Sequence, residues 1–230
     1  MTQYSKAIQE IINRSHGTNQ HSQRLNLLQR KVLEATEALE NIVEKRDPAL
    51  PLEAHTLKVA KASEKLKRNL EKQAQALEDF RYTAANDLNT QISQQANLIP
   101  NPHFRDAILN RFVSMKSADQ VKFLNELLAE QDGPSLAAIL EAPKAATGLS
   151  KDHANRLWDS YTKAAAPEPT AAMNEYWEVE AATNAAFKAA KRAANELSNP
   201  DEVQRIIRQQ EQARDAEQRL DEALSIKIGA

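Results

Sequence analysis

The chain has 230 residues, of which four are glycine, nine are proline and none is cysteine. The absence of cysteine excludes a disulfide framework, a thiolate metal site and a cysteine nucleophile. Thirty Lys and Arg residues against 32 Asp and Glu residues give a formal net charge of -2, which argues against a dedicated nucleic-acid binder, because such proteins usually carry a marked basic excess. The sequence contains no run of about 18 apolar residues and no secretory signal, so we expect a soluble protein without a membrane span that works inside the cell in which it is made.

Glycine and proline mark the points at which the sequence interrupts its helices. Between them the chain is rich in strong helix formers, including 38 alanines, and no alternating run of β-branched and aromatic residues predicts a strand. The predicted fold class is therefore all-α, with long, coiled-coil-like helical hairpins flanking a small block of short helices. Helices are predicted near residues 3–15, 19–46, 52–97, 103–115, 118–131, 135–142, 150–164, 170–198 and 201–227.

These breaks divide the chain into four predicted parts. Residues 1–18 form an N-terminal helix, 19–97 a long helical hairpin, 98–169 a short-helix block and 170–230 a C-terminal helical hairpin. The short-helix block contains three of the five phenylalanines, so we expect it to have a small conventional core. A core from about 70 residues is marginal by itself, so the block should pack against the long helices.

The long hairpin carries two apolar patterns. Residues in the first helix step by three and four positions, the heptad spacing of a helix that packs lengthwise against another: Leu25, Leu28, Val32, Ala35, Leu39 and Ile42. The second helix instead repeats leucine every 11 residues, at Leu66, Leu77 and Leu88, which keeps its apolar stripe nearly straight. The second helix outruns the first, so beyond about residue 80 it needs another surface.

A basic stripe follows one face of the second helix, formed by Lys58, Lys61, Lys65, Arg68 and Lys72. If the hairpin turns at residues 47–51, residues at equal distances from the turn face each other. This facing rule places Glu40 opposite Lys58 and Glu37 opposite Lys61. The stripe is then a set of surface ion pairs, each contributing a few tenths of a kcal/mol, roughly. The alternative interpretation is a surface that contacts nucleic acid or an acidic partner. Because acids stand opposite part of the stripe, the sequence favours the ion pairs.

The C-terminal hairpin is predicted to turn at Asn199-Pro200. The same facing rule places Phe187 against Ala213, Ala193 against Ile207, and Val179 against Leu220 or Asp221. In the first two pairs a large side chain meets a small one, as in closely packed helices. The apolar residues of this thin pair exceed what it can cover by itself, which indicates docking on the rest of the chain or on a neighbouring subunit.

Several apolar residues have no obvious internal partner in the sequence pattern. We expect such residues to contact other chains, since exposed apolar groups gain most from being covered. The candidates are Leu136, Ile139 and Leu140 of the short-helix block, Trp177, and the C-terminal Ile226 and Ile228.

The sequence contains no pattern that predicts catalysis. The five histidines form no metal-ligand pair at a helical spacing, so no metal site is predicted. The two nearest glycines, Gly133 and Gly148, are too far apart for a phosphate-binding loop, and the nucleophile motif G-x-S-x-G is absent. We therefore assign no catalytic residue and no cofactor, and expect a protein that is not an enzyme.

Two stretches, Asp132 to Ser150 and Ile8 to Gly17, resemble helical proteins encoded among the virion-morphogenesis genes of tailed bacteriophages. The resemblance includes no catalytic motif. It implies a capsid-associated, scaffolding or minor head or neck protein, present in the host cytoplasm during assembly and in the virion. Its partners would be other virion or assembly proteins, bound as a homo-oligomer or in multiple copies. The alternatives are a nucleic-acid-associated protein that uses the basic stripe, and an intracellular adaptor or chaperone module.

Overall fold

The structure is a computed structural model that describes residues 3–224. Helices account for 85% of the described residues and no strand occurs among them, so the all-α prediction is confirmed. The helices within residues 3–224 are α1 (Gln3–Arg14), α2 (Gln20–Glu44), α3 (Leu52–Gln95), α4 (Arg105–Ser114), α5 (Ser117–Glu130), α6 (Gly133–Leu140), α7 (Lys144–Thr147), α8 (Lys151–Ala165), α9 (Pro167–Leu197) and α10 (Pro200–Leu224).

Helices α6 and α9 begin two and three residues earlier than the sequence pattern predicts, and proline lies in the first turn of each. Helix α9 begins at Pro167 and includes Pro169. Helix α6 begins at Gly133, and Pro134 is its second residue. Proline is tolerated there because the first backbone N–H groups of a helix have no intrahelical acceptor. The prolines that were interpreted as a break therefore start α9 instead of preceding it.

The described residues form two compact units. The first comprises residues 3–77 and 179–224, and the second comprises residues 78–178. The division falls inside α3 and inside α9, not at the ends of those helices, so each long helix contributes to both units.

In the first unit, α1 is fixed by a buried carboxylate. Ile8 is fully buried, and Glu40 of α2 accepts a hydrogen bond at 3.1 Å from the backbone N–H of Ser5. The N–H groups in the first turn of a helix lack intrahelical acceptors and carry partial positive charge, so a carboxylate there is favourable. Glu40 is thus committed to α1, and the predicted pairing of Glu40 with Lys58 is wrong.

Helices α2 and α9 meet through a buried polar contact in the same unit. The Gln29 side-chain nitrogen donates to the carbonyl oxygen of Val179 at 3.2 Å and to Thr183 Oγ1 at 3.0 Å. Gln29 is fully buried, so sliding α9 along α2 would leave this amide without acceptors at a cost of about 1–3 kcal/mol. The contact therefore fixes the register of the two helices.

The two apolar patterns of α2 and α3 are largely buried. Leu66, Leu77 and Leu88, the 11-residue repeat, are all buried. In the heptad seam, Leu25, Val32 and Leu39 are buried, and Leu28, Ala35 and Ile42 are half-buried. Close to the turn between the helices, His55 Nε2 lies 3.4 Å from the carbonyl oxygen of Val43.

In the second unit, the end of α3 packs antiparallel to the start of α9. Phe80 and Tyr176 form an edge-on ring contact with centroids 6.3 Å apart, and the guanidinium of Arg81 lies 5.3 Å from the ring centroid of Trp177. Further along α3, Gln91 and Gln95 line a shallow surface pocket together with Pro169. The apolar stripe of α3 beyond residue 80, at Leu88 and Ile92, is thus buried within the same chain.

The core of the second unit is built around α6. Phe112 of α4, Leu124 of α5, and Leu136 and Ile139 of α6 are all at most 2% exposed. The expectation that Leu136 and Ile139 face another chain is wrong, because α6 is short and apolar and is enclosed by its neighbours. Leu140, at its end, is half-buried.

A tyrosine and a glycine fix how the helix ends meet in this unit. The Tyr161 hydroxyl donates to the carbonyl oxygens of Ala96 at 3.1 Å and Gln131 at 2.9 Å. Burial, with a smaller contribution from the charge of Asp132, raises the pKa of Tyr161. Gly133 lies so close to the end of α3 that a Cβ atom on it would meet the Ala96 oxygen at 2.5 Å and also press on the Asn97 oxygen.

We predict that Gly133→Ala lowers the free energy of unfolding by about 1–3 kcal/mol, because the new methyl group must displace backbone atoms and not a flexible side chain. Urea unfolding measures the change. Gly148→Asn is the control: a Cβ there meets nothing within 4 Å, and asparagine tolerates the positive φ of that position. An equal loss in both variants would contradict the close approach at Gly133.

Candidate interaction surface

The apolar residues predicted to contact partners are mostly used by the chain itself. Leu136 and Ile139 are core residues, as described above. Trp177 is half-buried, with its ring 5.1 Å from that of Tyr176 and beneath Arg81. Ile226 and Ile228 lie outside the described residues. The better candidate surface lies in the first unit, on α3 and α10.

The basic stripe of α3 is exposed along its whole length. All five side chains are exposed: Lys58, Lys61, Lys65, Arg68 and Lys72. Their spacing of three and four residues places them on one face of α3, over about 21 Å at 1.5 Å per residue. The stripe therefore presents a straight row of positive charge.

The stripe is not neutralised by the chain. Among residues 3–224, no carboxylate lies within 4.0 Å of any of these five cations. Glu64, the acid nearest along α3, instead pairs with Lys67. A hydrogen bond from Lys67 lowers the pKa of Glu64, and the charges of Lys67 and Arg68 lower it further. The interpretation of the stripe as a set of ion pairs is therefore wrong.

A groove of about 630 Å³ runs beside the stripe, and we call it the basic groove. Its apolar lining comes from both helices, and its charged lining comes almost entirely from the stripe. The lining residues are Leu57, Ala60, Lys61, Glu64, Lys65, Arg68, Asn69 and Lys72 of α3 with Val203 and Ile207 of α10. A site of this kind suits an apolar segment that carries negative charge on one flank.

Helix α10 is anchored only by its first two turns. Pro200 begins the helix, and Ile206 is fully buried. Glu202 and Arg205 form a two-point contact on the surface, with nitrogen–oxygen distances of 2.9 and 2.5 Å. This contact lowers the pKa of Glu202 and raises that of Arg205.

The rest of α10 has no surface to pack on within the described chain. Every residue from 208 to 224 is exposed, and we call this segment the α10 tail. Leu220 and Leu224 are 59% and 75% exposed. The facing rule placed Ala213 and Leu220 against buried residues of α9, and this is wrong, because both residues are exposed whereas Phe187 and Val179 are buried.

The α10 tail is amphipathic. At 3.6 residues per turn, one face carries all of its large apolar groups and two alanines: Ala213, Ala216, Leu220 and Leu224. Glu217 and Asp221 flank this face on one side, where Arg214 precedes them by one turn, whereas Asp215 and Glu222 lie opposite it. Five acids and three arginines between residues 208 and 224 give the segment a net charge of -2 (3 minus 5).

A second polar cluster joins α1 to α9. The Tyr4 hydroxyl donates to Glu196 at 2.5 Å, and Arg192 Nε donates to the same carboxylate at 2.6 Å. The Arg192 and Tyr4 hydrogen bonds lower the pKa of Glu196, and the bond to Glu196 raises the pKa of Tyr4. One carboxylate accepts both hydrogen bonds, so this cluster links α1 to α9.

Sequence reasoning identified the cations but missed the groove and the free tail. The signal was present in α10, where Val203, Ile206 and Ile207 are followed by twelve residues, 208–219, without a large apolar side chain. A helix face that lacks large apolar groups over three turns has little to bury. The tail therefore leaves the core where its apolar residues stop.

No protein-family model, no curated protein and no solved structure matches the chain. Within residues 3–224, no group of three or more His, Cys, Asp or Glu side chains is placed to hold a metal ion. Over the same range, no helix combines the length and the apolar character needed to cross a bilayer. The candidate surface therefore rests on the geometry of α3 and α10.

We predict that replacing Lys61, Lys65, Arg68 and Lys72 together by Gln changes the free energy of unfolding by no more than about 0.5 kcal/mol, because unpaired surface cations contribute little and repel one another. Urea unfolding tests this. Glu40→Ala serves as the comparison and should cost about 1–3 kcal/mol, since it leaves the Ser5 N–H buried without its acceptor. A large loss in the Gln variant would mean that the stripe has a structural role.

Proposed function

We propose that this protein is a non-enzymatic helical assembly protein that works by presenting helix surfaces to other protein chains. The carrying observation is the α10 tail, a continuous helical segment that is exposed at every residue from 208 to 224. Isolated helices of about this length are marginal in water, and proteins stabilise them by packing an amphipathic face. A partner chain supplies the missing surface for Leu220 and Leu224.

Within this role we propose a virion component of a tailed phage: a capsid-associated, scaffolding or minor head or neck protein. The support is the resemblance of Asp132 to Ser150 and of Ile8 to Gly17 to proteins of virion morphogenesis. The protein would act in the host cytoplasm during assembly and in the particle. Helices α2 and α3 would serve as the coiled-coil-like stalk of the molecule, packed along the heptad seam.

The non-enzymatic role is supported by the environments of the shifted acids. Glu64, Glu196 and Glu202 have lowered pKa values, and in each case the first cause is a hydrogen bond from a neighbouring Lys or Arg on the protein surface. Such shifts arise in ordinary surface ion pairs. A general acid at neutral pH needs the opposite change, a pKa raised toward the working pH.

The basic stripe favours a second candidate, contact with nucleic acid. Five exposed cations without a carboxylate partner within residues 3–224 form a row about 21 Å long, which can follow a phosphate backbone. The net charge of -2 opposes long-range attraction of the whole molecule to DNA. The row of cations can nevertheless bind the phosphates that it contacts directly.

We predict that removing residues 208–230 leaves the protein folded but abolishes its incorporation into assembled particles. The helical circular dichroism signal per residue and the urea midpoint should be retained, because Ile206 and Ile207 remain. Quantitative mass spectrometry of purified particles should find the full chain at a fixed copy number and the shortened chain absent. Incorporation of the shortened chain at the full level would overturn the role of the tail.

For the second candidate, we predict no retention on heparin or double-stranded DNA at about 0.15 M salt, where binding through several phosphate contacts would still be measurable and steeply salt-dependent. The four-residue Gln variant of the stripe is the control. Retention that the Gln variant loses would favour nucleic-acid binding over protein assembly through this surface.

A further inference from the structure

We propose that the basic groove is the docking site for the α10 tail of a second copy of this chain. The inference rests on the proposed assembly function and names the partner of its surface. It is carried by three observations: the groove and the tail belong to the same chain but cannot meet within it, their charges are opposite, and their side-chain spacings match.

The tail cannot fill the groove of its own molecule. Val203 and Ile207 line the groove, and the tail continues from them in the same helix without a glycine or proline as far as Leu224. For residues 213–224 to return to the groove, α10 would have to break after Ile207. A continuous helix instead carries the tail away, so docking must occur between two molecules.

The chemistry of the two surfaces is complementary. The groove has an apolar lining beside Lys61, Lys65, Arg68 and Lys72, with Glu64 already paired. The tail carries an apolar face with Glu217 and Asp221 along one flank. When Leu220 and Leu224 enter the apolar lining, these two acids lie on the side of the tail that can face the stripe. Desolvation of the apolar face supplies affinity, and the charges select the orientation.

The spacings agree as well. Glu217 and Asp221 are four residues apart, as are Lys61 and Lys65, and Arg68 and Lys72. Four residues advance a helix by about 6 Å, so two helices lying side by side can pair both charges at once. Each copy has one groove and one tail, so reciprocal docking gives a closed, symmetric dimer in which both are occupied.

Two charge-reversed variants test the inference. The groove variant is Lys61→Glu, Lys65→Glu, Arg68→Glu, Lys72→Glu, and the tail variant is Glu217→Lys, Asp221→Lys. The molar mass of each full-length chain is measured by light scattering after size-exclusion chromatography at low salt, and the dissociation constant by sedimentation. Circular dichroism and urea unfolding first establish that each variant is folded.

The natural chain should be a dimer whose affinity falls as salt rises from about 0.05 to 0.5 M. Either variant alone should dimerise at least about tenfold more weakly, because like charges meet at both contacts. An equimolar mixture should recover association, since the negative groove then receives the positive tail and the natural groove receives the natural tail. The control variant Asp215→Lys, Glu222→Lys makes the same charge change on the opposite face and should weaken association far less.

Three results would overturn the inference: a natural chain that stays monomeric at about 0.1 mM, a mixture that associates no better than its components, or a control variant as defective as the tail variant. None of these results would contradict the proposed assembly function, which is tested separately by the incorporation of the chain lacking residues 208–230 into particles. A monomeric chain whose tail is still needed for incorporation would mean that the tail binds a different protein.

Discussion

The small-residue surface of α9 determines how the first unit is arranged. Ala186, Ala190, Ala193 and Ala194 are fully buried, which requires neighbouring helices to approach α9 closely. The approach is fixed by polar contacts on several sides: Gln29 of α2, Tyr4 of α1, and Glu71 of α3, whose carboxylate lies 3.0 Å from Lys191 Nζ. With these helices against α9, only the first two turns of α10 reach the core.

Because α1, α2 and α3 contact α9, the facing rule failed for the second hairpin. Helical periodicity identifies which face of a helix is apolar, but not which neighbour covers that face. The rule assumed that α9 and α10 cover each other because they are adjacent in the chain. The buried face of α9 is instead accompanied by polar contacts from α1, α2 and α3, at Tyr4, Gln29 and Glu71. The all-α class and the 11-residue stripe were predictable because both depend on local pattern alone.

The same distinction separates the predictable and unpredictable parts of the candidate surface. That Lys58 to Lys72 share one face follows from spacing, and the structure has them exposed. Whether acids neutralise them depended on Glu37 and Glu40, and Glu40 instead accepts a hydrogen bond from the first turn of α1. For Leu136 and Ile139 the sequence showed only that a short helix is apolar. The same apolar pattern results whether a neighbouring helix or another chain covers that helix. Tertiary packing decided both cases.

Protein docking and nucleic-acid binding cannot use the stripe at the same time. Lys61, Lys65, Arg68 and Lys72 line the groove, so a tail that occupies it places carboxylates where phosphates would otherwise bind. The two partners also differ in what they leave exposed. Phosphates would satisfy the cations but would leave Val203, Ile207, Leu220 and Leu224 in water, whereas a tail helix covers both kinds of surface. Because the apolar lining and the charge lie side by side, a polypeptide with an apolar face and an acidic flank is the better complement of the groove.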